Sequence, residues 1–354
     1  MNRFLDIRPA FDDIPRNPGI TNPANHLRTD AQRASIESIV NLKNGQLYSM
    51  EYTADYKLDQ ILAAGITDIP HLVEFVNREL LDDGNAEAGS NNGGCSAFTA
   101  STRSGEMIYG RNFDYLMNMT AVLVRTRPEN GYASIGLADA GWIGYLAGSL
   151  DDGVTDLSPA VLFPYLLMDG MNEKGLVISV LKLEGPPTRQ NTGKQNISTT
   201  VAIRLVLDRA ANVDEAIELF KGYDMQASSN TSSFHFLVAD ASGRAVVLEY
   251  CHDVFSVVEE HYVTNFYLDP SMDGYGHGVE RYRILQSVLE FKKEALTEGE
   301  AMSLLQLVSQ EKTEESTSFT QWSTVYNLSK LTGTASVLRD YDHLFTFSLD
   351  KPLT

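Results

Sequence analysis

Cys95 stands directly after the run Asn91-Asn92-Gly93-Gly94, in a chain with one other cysteine, and Arg111 and Asp114 follow it by 16 and 19 positions. A thiol is a strong nucleophile once ionised, and its ordinary pKa is about 8.5. A guanidinium such as Arg111 beside it would lower that value and hold the thiolate. The reaction also needs a base. Seven histidines are available (His26, His71, His235, His252, His261, His277 and His343); none lies in a local cysteine-protease signature, and pairing in space stays open. A second candidate is the α-amino group that Cys95 would gain if the Gly94–Cys95 bond were cut. Such an amine has a pKa of about 7.7–8.0 and can activate the nucleophile that shares its residue. Glycines at 93 and 94 suit a cut there, because they tolerate backbone geometries that other residues do not. The thiol would attack the Gly94 carbonyl, and water would hydrolyse the resulting thioester. The alternative reading of Gly93-Gly94 is a loop that leads into a strand.

Further blocks resolve the choice. Cys95-Ser96-Ala97-Phe98 followed by Gly110-Arg111-Asn112-Phe113-Asp114-Tyr115 resembles the start of the mature chain in the choloylglycine hydrolase family. That family of N-terminal-nucleophile hydrolases includes bile salt hydrolases, penicillin V acylases and relatives that cleave linear amides. Four later blocks resemble family segments in the same order: Asp169-Gly170-Met171-Asn172-Glu173-Lys174-Gly175-Leu176, Val263-Thr264-Asn265, Glu280-Arg281-Tyr282-Arg283 and Thr320-Gln321-Trp322-Ser323. The resemblance runs from about Gly94 to near Leu349. It implies that Cys95 supplies both thiol and α-amine, that Arg111 sits beside the thiolate, and that Asp114 orients the amine. Asn172 and Asn265 would donate to the oxyanion, each such donor being worth about 3–4 kcal/mol. Arg281 would be a buried charge partner that keeps the site in shape. Taken singly, these residues have plainer readings: an ion pair for Arg111 and Asp114, a turn for Asn172, a strand end for Asn265, a solvated helix charge for Arg281. Trp142 and Tyr145, in Gly141-Trp142-Ile143-Gly144-Tyr145, fall where the family places substrate-facing residues; the competing reading is a packed aromatic turn. The fold implied is α+β, a four-layer αββα sandwich of two antiparallel sheets between helices.

The elements that must position these residues can be read from periodicity. Residues 1–30 are rich in Pro, Asn and Asp and read as extended. Ile36–Thr53 reads as two strands around Lys43-Asn44-Gly45. Tyr56–Ala64 and Ile69–Leu81 read as helices, the second with Asp68 as N-cap and Pro70 in its first turn. Asp82–Gly94 is polar and aperiodic, which marks a boundary between a leader, 1–94, and the amidohydrolase domain, 95–354. Beyond it come strands at Cys95–Ser101, Glu106–Tyr109, Ala121–Thr126, Ala133–Leu137, Leu176–Leu183, Ser233–Ala239, Ala245–Tyr250, Val254–Val258 and Tyr262–Phe266. Strands also close the chain at Gln321–Asn327, Ala335–Asp340 and Leu344–Leu349. Helices are expected at Ser158–Met168, Thr199–Ala210, Val213–Gly222, Val279–Lys293 and Glu298–Ser309. Antiparallel-looking strands alternating with helix pairs give class α+β rather than a parallel βαβ array. The leader of 94 residues departs from typical bile salt hydrolases, which begin at the cysteine, and is closer to isopenicillin N acyltransferase-like and acid ceramidase-like relatives with an internal cut. Its hairpin and helices look foldable, as a small chain that stays with the large one.

Composition limits the partners. The chain has 354 residues, 43% of them hydrophobic, with 47 acidic against 28 basic side chains. That excess excludes a nucleic-acid partner, which would require clustered Lys and Arg. No apolar run reaches the roughly 18–20 residues of a membrane span, and the N-terminus has no apolar signal core; the expectation is a cytoplasmic protein without membrane insertion. Cys251, in an apolar strand-like run, reads as a buried inert thiol. No spacing of ligands suggests a metal, no phosphate loop or dinucleotide fingerprint is present, and no cofactor is expected. The partner expected is a small-molecule N-acyl amide, and a homo-oligomer stays open. The activity expected is a self-processing thiol amidohydrolase. Its rivals are an acyltransferase with the same acyl-enzyme and a non-catalytic binding relative whose leader never leaves Cys95.

Overall fold

The computed structural model describes residues 23–82, 93–115, 119–293, 295–313, 318–351 and 353. Asn91 and Asn92 lie outside them. In chain order the helices are α1 (Asp30–Glu37), α2 (Leu58–Ala64), α3 (Ile69–Glu79), α4 (Thr199–Arg209), α5 (Val213–Lys221), α6 (Val279–Lys292) and α7 (Glu298–Leu307). The strands before α4 are β1 (Val40–Lys43), β2 (Leu47–Tyr52), β3 (Gly93–Ser101), β4 (Met107–Tyr115), β5 (Ala121–Thr126), β6 (Ser134–Asp139), β7 (Leu167–Asn172), β8 (Val177–Leu183) and β9 (Asn196–Ser198). After it come β10 (Asp224–Gln226), β11 (Ser233–Ala239), β12 (Ala245–Cys251), β13 (Val254–Glu259), β14 (Tyr262–Val263), β15 (Asn265–Phe266), β16 (Gly276–His277), β17 (Phe319–Asn327), β18 (Thr332–Val337) and β19 (Phe345–Ser348).

Two sheets hold the molecule. The larger has nine strands in the order β1-β2-β5-β6-β7-β8-β11-β12-β13, the smaller six in the order β14-β3-β4-β17-β18-β19. They face each other where β3 packs on β8 and β11; α4 and α5 cover the outer face of the first, α6 and α7 that of the second. The result is α+β, helix–sheet–sheet–helix. Side-chain alternation along each strand builds these layers. On β3, Cys95 and Ala97 belong to the core between the sheets, whereas Phe98 and Ala100 pack under α6 and α7 with Leu285, Leu289 and Leu305. Among the described residues no helix is long and apolar enough to cross a membrane.

The segment ahead of Cys95 is part of this architecture. β2 pairs with β5 in parallel, from Leu47 opposite Ala121 to Tyr52 opposite Thr126, so β1 and β2 form one edge of the nine-stranded sheet. Its side chains are tied across: Glu51 pairs with Arg125 at 2.6 Å, and the Tyr48 hydroxyl donates to Asp151 at 2.6 Å. α3 begins as its sequence predicts, with Asp68 accepting from the His71 amide at 2.8 Å and Leu72, Val73, Phe75 and Val76 buried. Elements on either side of Cys95 differ from the sequence reading. A helix, α1, occupies Asp30–Glu37, bridging the end of the stretch read as extended, 1–30, and the start of the strand pair expected from Ile36. Thr29 and Gln32 cap it reciprocally, a pairing that fixes a helix start over very few residues. Residues Ser158–Tyr165 form a 3₁₀ helix with Pro164 inside it, and the chain is already strand β7 by Leu167.

Candidate active site

The site grows out of the β3–β4 hairpin. Cys95 is paired with Phe113, Ala97 with Arg111 and Gly94 with Asp114. Directly opposed residues on an antiparallel pair share a face, so Cys95, Arg111 and Phe113 point between the sheets and Asp114 points to the outer layer. The three-residue interval from Arg111 to Asp114 therefore sends the two charges to opposite sides of the cysteine's backbone.

On the inner side, the fully buried Arg111 directs Nη2 at the Cys95 Sγ, 3.5 Å away, and at the Val180 carbonyl, 2.8 Å away. Its Nε lies 3.1 Å from Asp169 Oδ2, an ion pair in which both side chains are completely enclosed. Asp169 in turn accepts from the Trp322 indole at 3.0 Å and from the Tyr326 hydroxyl. The guanidinium lies 5.3 Å from the centre of the Phe113 ring, and Trp322 packs on that ring at 4.2 Å. Burial pushes the Cys95 thiol above its ordinary range. Arg111 opposes that shift most, Asp114 adds to it, and a backbone hydrogen bond from Asp114 and the charge of Arg281 oppose it. The sequence reading of a thiol lowered by Arg111 is thus reversed in net direction: desolvation of the thiolate outweighs its cation.

On the outer side, Arg281 clamps the cysteine's backbone. Its Nη1 donates to the Cys95 carbonyl at 2.9 Å and to Asp114 Oδ2 at 3.1 Å, and its Nη2 donates to Asn265 Oδ1 at 2.8 Å. Asn265 Oδ1 also accepts from the Cys95 amide at 2.7 Å, while its Nδ2 donates to the Lys182 carbonyl at 2.8 Å. Asp114 accepts further from Thr320 Oγ1 at 2.6 Å and Gln310 Nε2 at 2.8 Å. Burial raises the Asp114 carboxyl, and Arg281, Thr320, Arg111 and Gln310 work against that rise. A side chain at residue 94 would come within 2.9 Å of Gln310 Nε2 and 3.4 Å of both Asn265 and His277, so this collar of groups closes around a glycine.

Local chain geometry explains how Asn265 and Arg281 arrive there. A single strand over Tyr262–Phe266 was expected. Instead β14 pairs with β3 through Val263, and β15 leaves to pair with β16. The break falls at Thr264, whose carbonyl meets His235 Nε2 at 2.8 Å and whose hydroxyl donates to Gly278 O at 3.0 Å. His235 is itself held against Glu249 at 3.2 Å. Gly278, at φ +85°, caps α6, and a β-carbon there would sit 2.8 Å from Arg281 Nη2.

The structure therefore brings together Cys95, Arg111, Asp114, Asn265 and Arg281. It does not bring Asn172 to them. Asn172 shares a face of β7 with Gly170, whose own β-carbon would touch Leu207 of α4. Its Nδ2 donates to the carbonyls of Leu207 and Ala210, and its Oδ1 accepts from Lys174 and Leu176. Three residues earlier, and so on the opposite face, Asp169 is the member of that block that reaches the site. Of the aromatic pair, Trp142 lines the cleft beside Cys95 and Tyr145 does not; the Tyr145 hydroxyl donates to Asp156 O at 2.7 Å and its ring packs edge-on against Phe163. The sequence reading gives no role to Gln310 or Thr320 and has His235 only as one of seven candidate bases. Thr320 opens a block that was singled out; the other two carry no local signal.

The cleft at the thiol is narrow; with the open solvent at its mouth it takes in about 400 Å³ of space between atoms. Phe113, Trp142, Met168, Val180 and Phe234 give it apolar walls. Lys182 and the hydroxyl residues Thr199, Thr200 and Ser228 also border it. Among the described residues no group of three or more His, Cys, Asp or Glu side chains is placed to hold a metal ion.

Comparison with known proteins matches this geometry to a family. The model for linear amide C–N hydrolases of the choloylglycine hydrolase family matches residues 95–295, beginning at the thiol-bearing residue. Penicillin V acylase of Pectobacterium atrosepticum is 32% identical over 92 residues, 23% of this chain and 24% of that protein. An uncharacterised protein of Paramecium bursaria Chlorella virus 1 is 37% identical over 93 residues, 23% of this chain and 32% of that protein. The matched stretch thus spans a quarter to a third of the length of these curated relatives. Among solved structures, two variants of a conjugated bile acid hydrolase from Clostridium perfringens superpose with TM-scores of 0.54, at 18% and 17% identity, covering 73% of this chain and 93% and 94% of theirs; that likeness is one of fold.

Proposed function

Since the chain belongs to the choloylglycine hydrolase family of linear amide C–N hydrolases, we propose that it hydrolyses a non-peptide amide bond of an N-acyl substrate, with Cys95 as the nucleophile after a cut between Gly94 and Cys95. The observation that carries this reading is the grip on Cys95: its sulfur 3.5 Å from Arg111, its amide held by Asn265 and its carbonyl by Arg281, at the end of an apolar cleft.

In the maturation step the sulfur attacks the Gly94 carbonyl carbon. The C–N bond to Cys95 breaks, and the departing nitrogen takes the proton the thiol gives up. Water then cleaves the thioester, which frees the thiol, an α-amine on Cys95 and a carboxylate on Gly94. Asp114, the cross-strand neighbour of Gly94, orients that amine. In turnover the amine accepts the thiol proton as sulfur attacks the substrate's acyl carbon. The proton passes to the leaving amine, and the acyl thioester is hydrolysed by a water that the α-amine activates. Asn265, whose Nδ2 lies at the Lys182 carbonyl on the cleft wall, is the donor this reading retains for the oxyanion. The segment 1–94 stays in place as a small chain, because β1 and β2 are strands of the nine-stranded sheet.

Intact-mass measurement on purified protein tests the maturation step. Two masses that divide the sequence between Gly94 and Cys95 are expected, and a single full-length mass stable for days refutes amine-assisted catalysis. Turnover is tested with a panel of amides: conjugated bile acids, penicillin V, fatty-acyl amides and N-acyl amino acids.

A further inference from the structure

The cleft that begins at the Cys95 thiol also reaches the start of α4, and that helix start lacks its usual partners. Ser198 occupies the N-cap position, yet its side chain caps nothing and the first turn holds no acidic residue. Ser198 Oγ is buried without a hydrogen-bond partner. The first N–H groups of any helix have no acceptor within the helix, and together with the aligned peptide dipoles they present roughly half a positive charge. Water covers such ends on most surface helices. Here Ser198, Thr199, Thr200 and Val201 are all buried. Among the described residues Ser228 offers the one side-chain contact to these amides, accepting from the Thr200 amide at 3.4 Å.

A second observation is independent of the helix. The Thr200 side chain, 3% exposed, borders the cleft, and its hydroxyl oxygen has no hydrogen-bond partner among the described residues. A buried hydroxyl left unsatisfied costs about 1–3 kcal/mol. A cleft that keeps one beside uncapped amides is short of an acceptor. Of the charged side chains that border the cleft, Asp114 is already paired with Arg281.

We infer that this cleft selects acyl groups that are apolar along Phe113, Trp142, Val180 and Phe234 and end in an oxygen acceptor, a carboxylate in preference to a hydroxyl, seated on the Thr200 hydroxyl and the start of α4. The inference rests on the acyl-enzyme reading above and names the substrate class for it: amides of ω-carboxy or ω-hydroxy acids rather than of plain fatty acids.

The test uses amides of one common amine with butanoyl to decanoyl chains, each ending in methyl, hydroxyl or carboxylate. A hydrogen bond to a charged group is worth about 1.5–3 kcal/mol, so at the best chain length wild-type kcat/KM should favour carboxylate over methyl by about tenfold or more. Thr200→Val should reduce that ratio about tenfold, and Ser228→Ala supplies a second variant should the first fail to fold. Equal or reversed preference in the wild type overturns the inference, as does an unchanged ratio in a folded Thr200→Val protein. Binding of the matching primary amides to the full-length Cys95→Ala protein, followed by calorimetry, needs no chemistry. If no amide is turned over, the hydrolase reading fails, and this inference still stands or falls on whether the carboxylate-ended amides bind more tightly than the methyl-ended ones.

Discussion

At the scale of single residues, burial pushes the thiol of Cys95 up and Arg111 opposes that rise most, so reactivity should follow the guanidinium. Arg111→Gln should slow iodoacetamide labelling of Cys95 about tenfold at a fixed pH, because the thiol then loses the cation that favours its ionised form. The other thiol does not confuse the reading, because burial and the nearby Glu249 and Asp269 push Cys251 up to about 12. Labelling of unchanged rate would mean that Arg111 does not tune the sulfur. Asp139 carries a second, independent prediction. Burial raises its carboxyl to about 8; one oxygen accepts from the Gly141 amide at 2.9 Å. The other completes no hydrogen bond, and the Trp142 indole assists it only weakly, outside hydrogen-bond geometry. A folded value above the ordinary carboxylate value of about 3.9 means that the stability contributed is full below that value and is lost as pH rises through about 8. Wild-type stability should therefore fall from about pH 4 to about pH 8 relative to Asp139→Asn and level off above that, by a difference on the order of a few kcal/mol in denaturant titrations. Parallel profiles for the two proteins would contradict a buried, protonated Asp139.

At the scale of elements, strand parity decides which residues of a block can act. On β7 the residues at 169 and 172 face opposite layers, and only the first reaches Arg111. Asn172→Ala should cost about 1–3 kcal/mol of stability by stranding the Leu207 and Ala210 carbonyls, with kcat/KM per folded molecule unchanged. Asp169→Asn should cost about 3–5 kcal/mol, because it leaves a buried guanidinium uncompensated, and should also lower activity. A large loss of kcat in a well-folded Asn172→Ala protein would restore its oxyanion role. The same parity explains what the sequence could convey. Helices α2 to α7 and most strands were legible because their apolar periodicities and caps are local. Cys95, Arg111, Asp114, Asn265 and Arg281 were legible as ordered blocks. Which face each residue of a block would take was not, since Asp169 and Asn172 belong to one block and only the ladder register separates them. Gln310 and His235 were illegible in these roles because each comes from a segment far away in sequence, the stretch after α7 for the contact to Asp114 and β11 for the contact to the Thr264 carbonyl, and resembles any polar residue in its own neighbourhood. α1 escaped because its eight residues carry too few apolar positions to show a period, although Thr29-x-x-Gln32 was there to be read.

At the scale of the whole molecule, the segment before Cys95 supplies both sheet edge and core. Leu47, Met50, Ile61, Leu72, Val76 and Leu81 are each at most 1% exposed. At roughly 1.5–3 kcal/mol apiece, they sum to on the order of 10 kcal/mol, comparable to the full stability of a typical domain. A chain expressed from Cys95 onward should accordingly be insoluble or unfolded by circular dichroism, and size-exclusion chromatography of matured protein should show both pieces in one peak. Recovery of a soluble, active 95–354 chain would show the leader to be dispensable.

The parallel seam between β2 and β5 has one more effect. While the backbone is continuous, heating and cooling is a unimolecular cycle. Once Gly94 and Cys95 part, the same seam joins two polypeptides, so recovery after denaturation becomes second order and depends on dilution. Maturation would then act as a ratchet: the young protein can repair itself, and the mature one survives only as long as its barrier to opening holds.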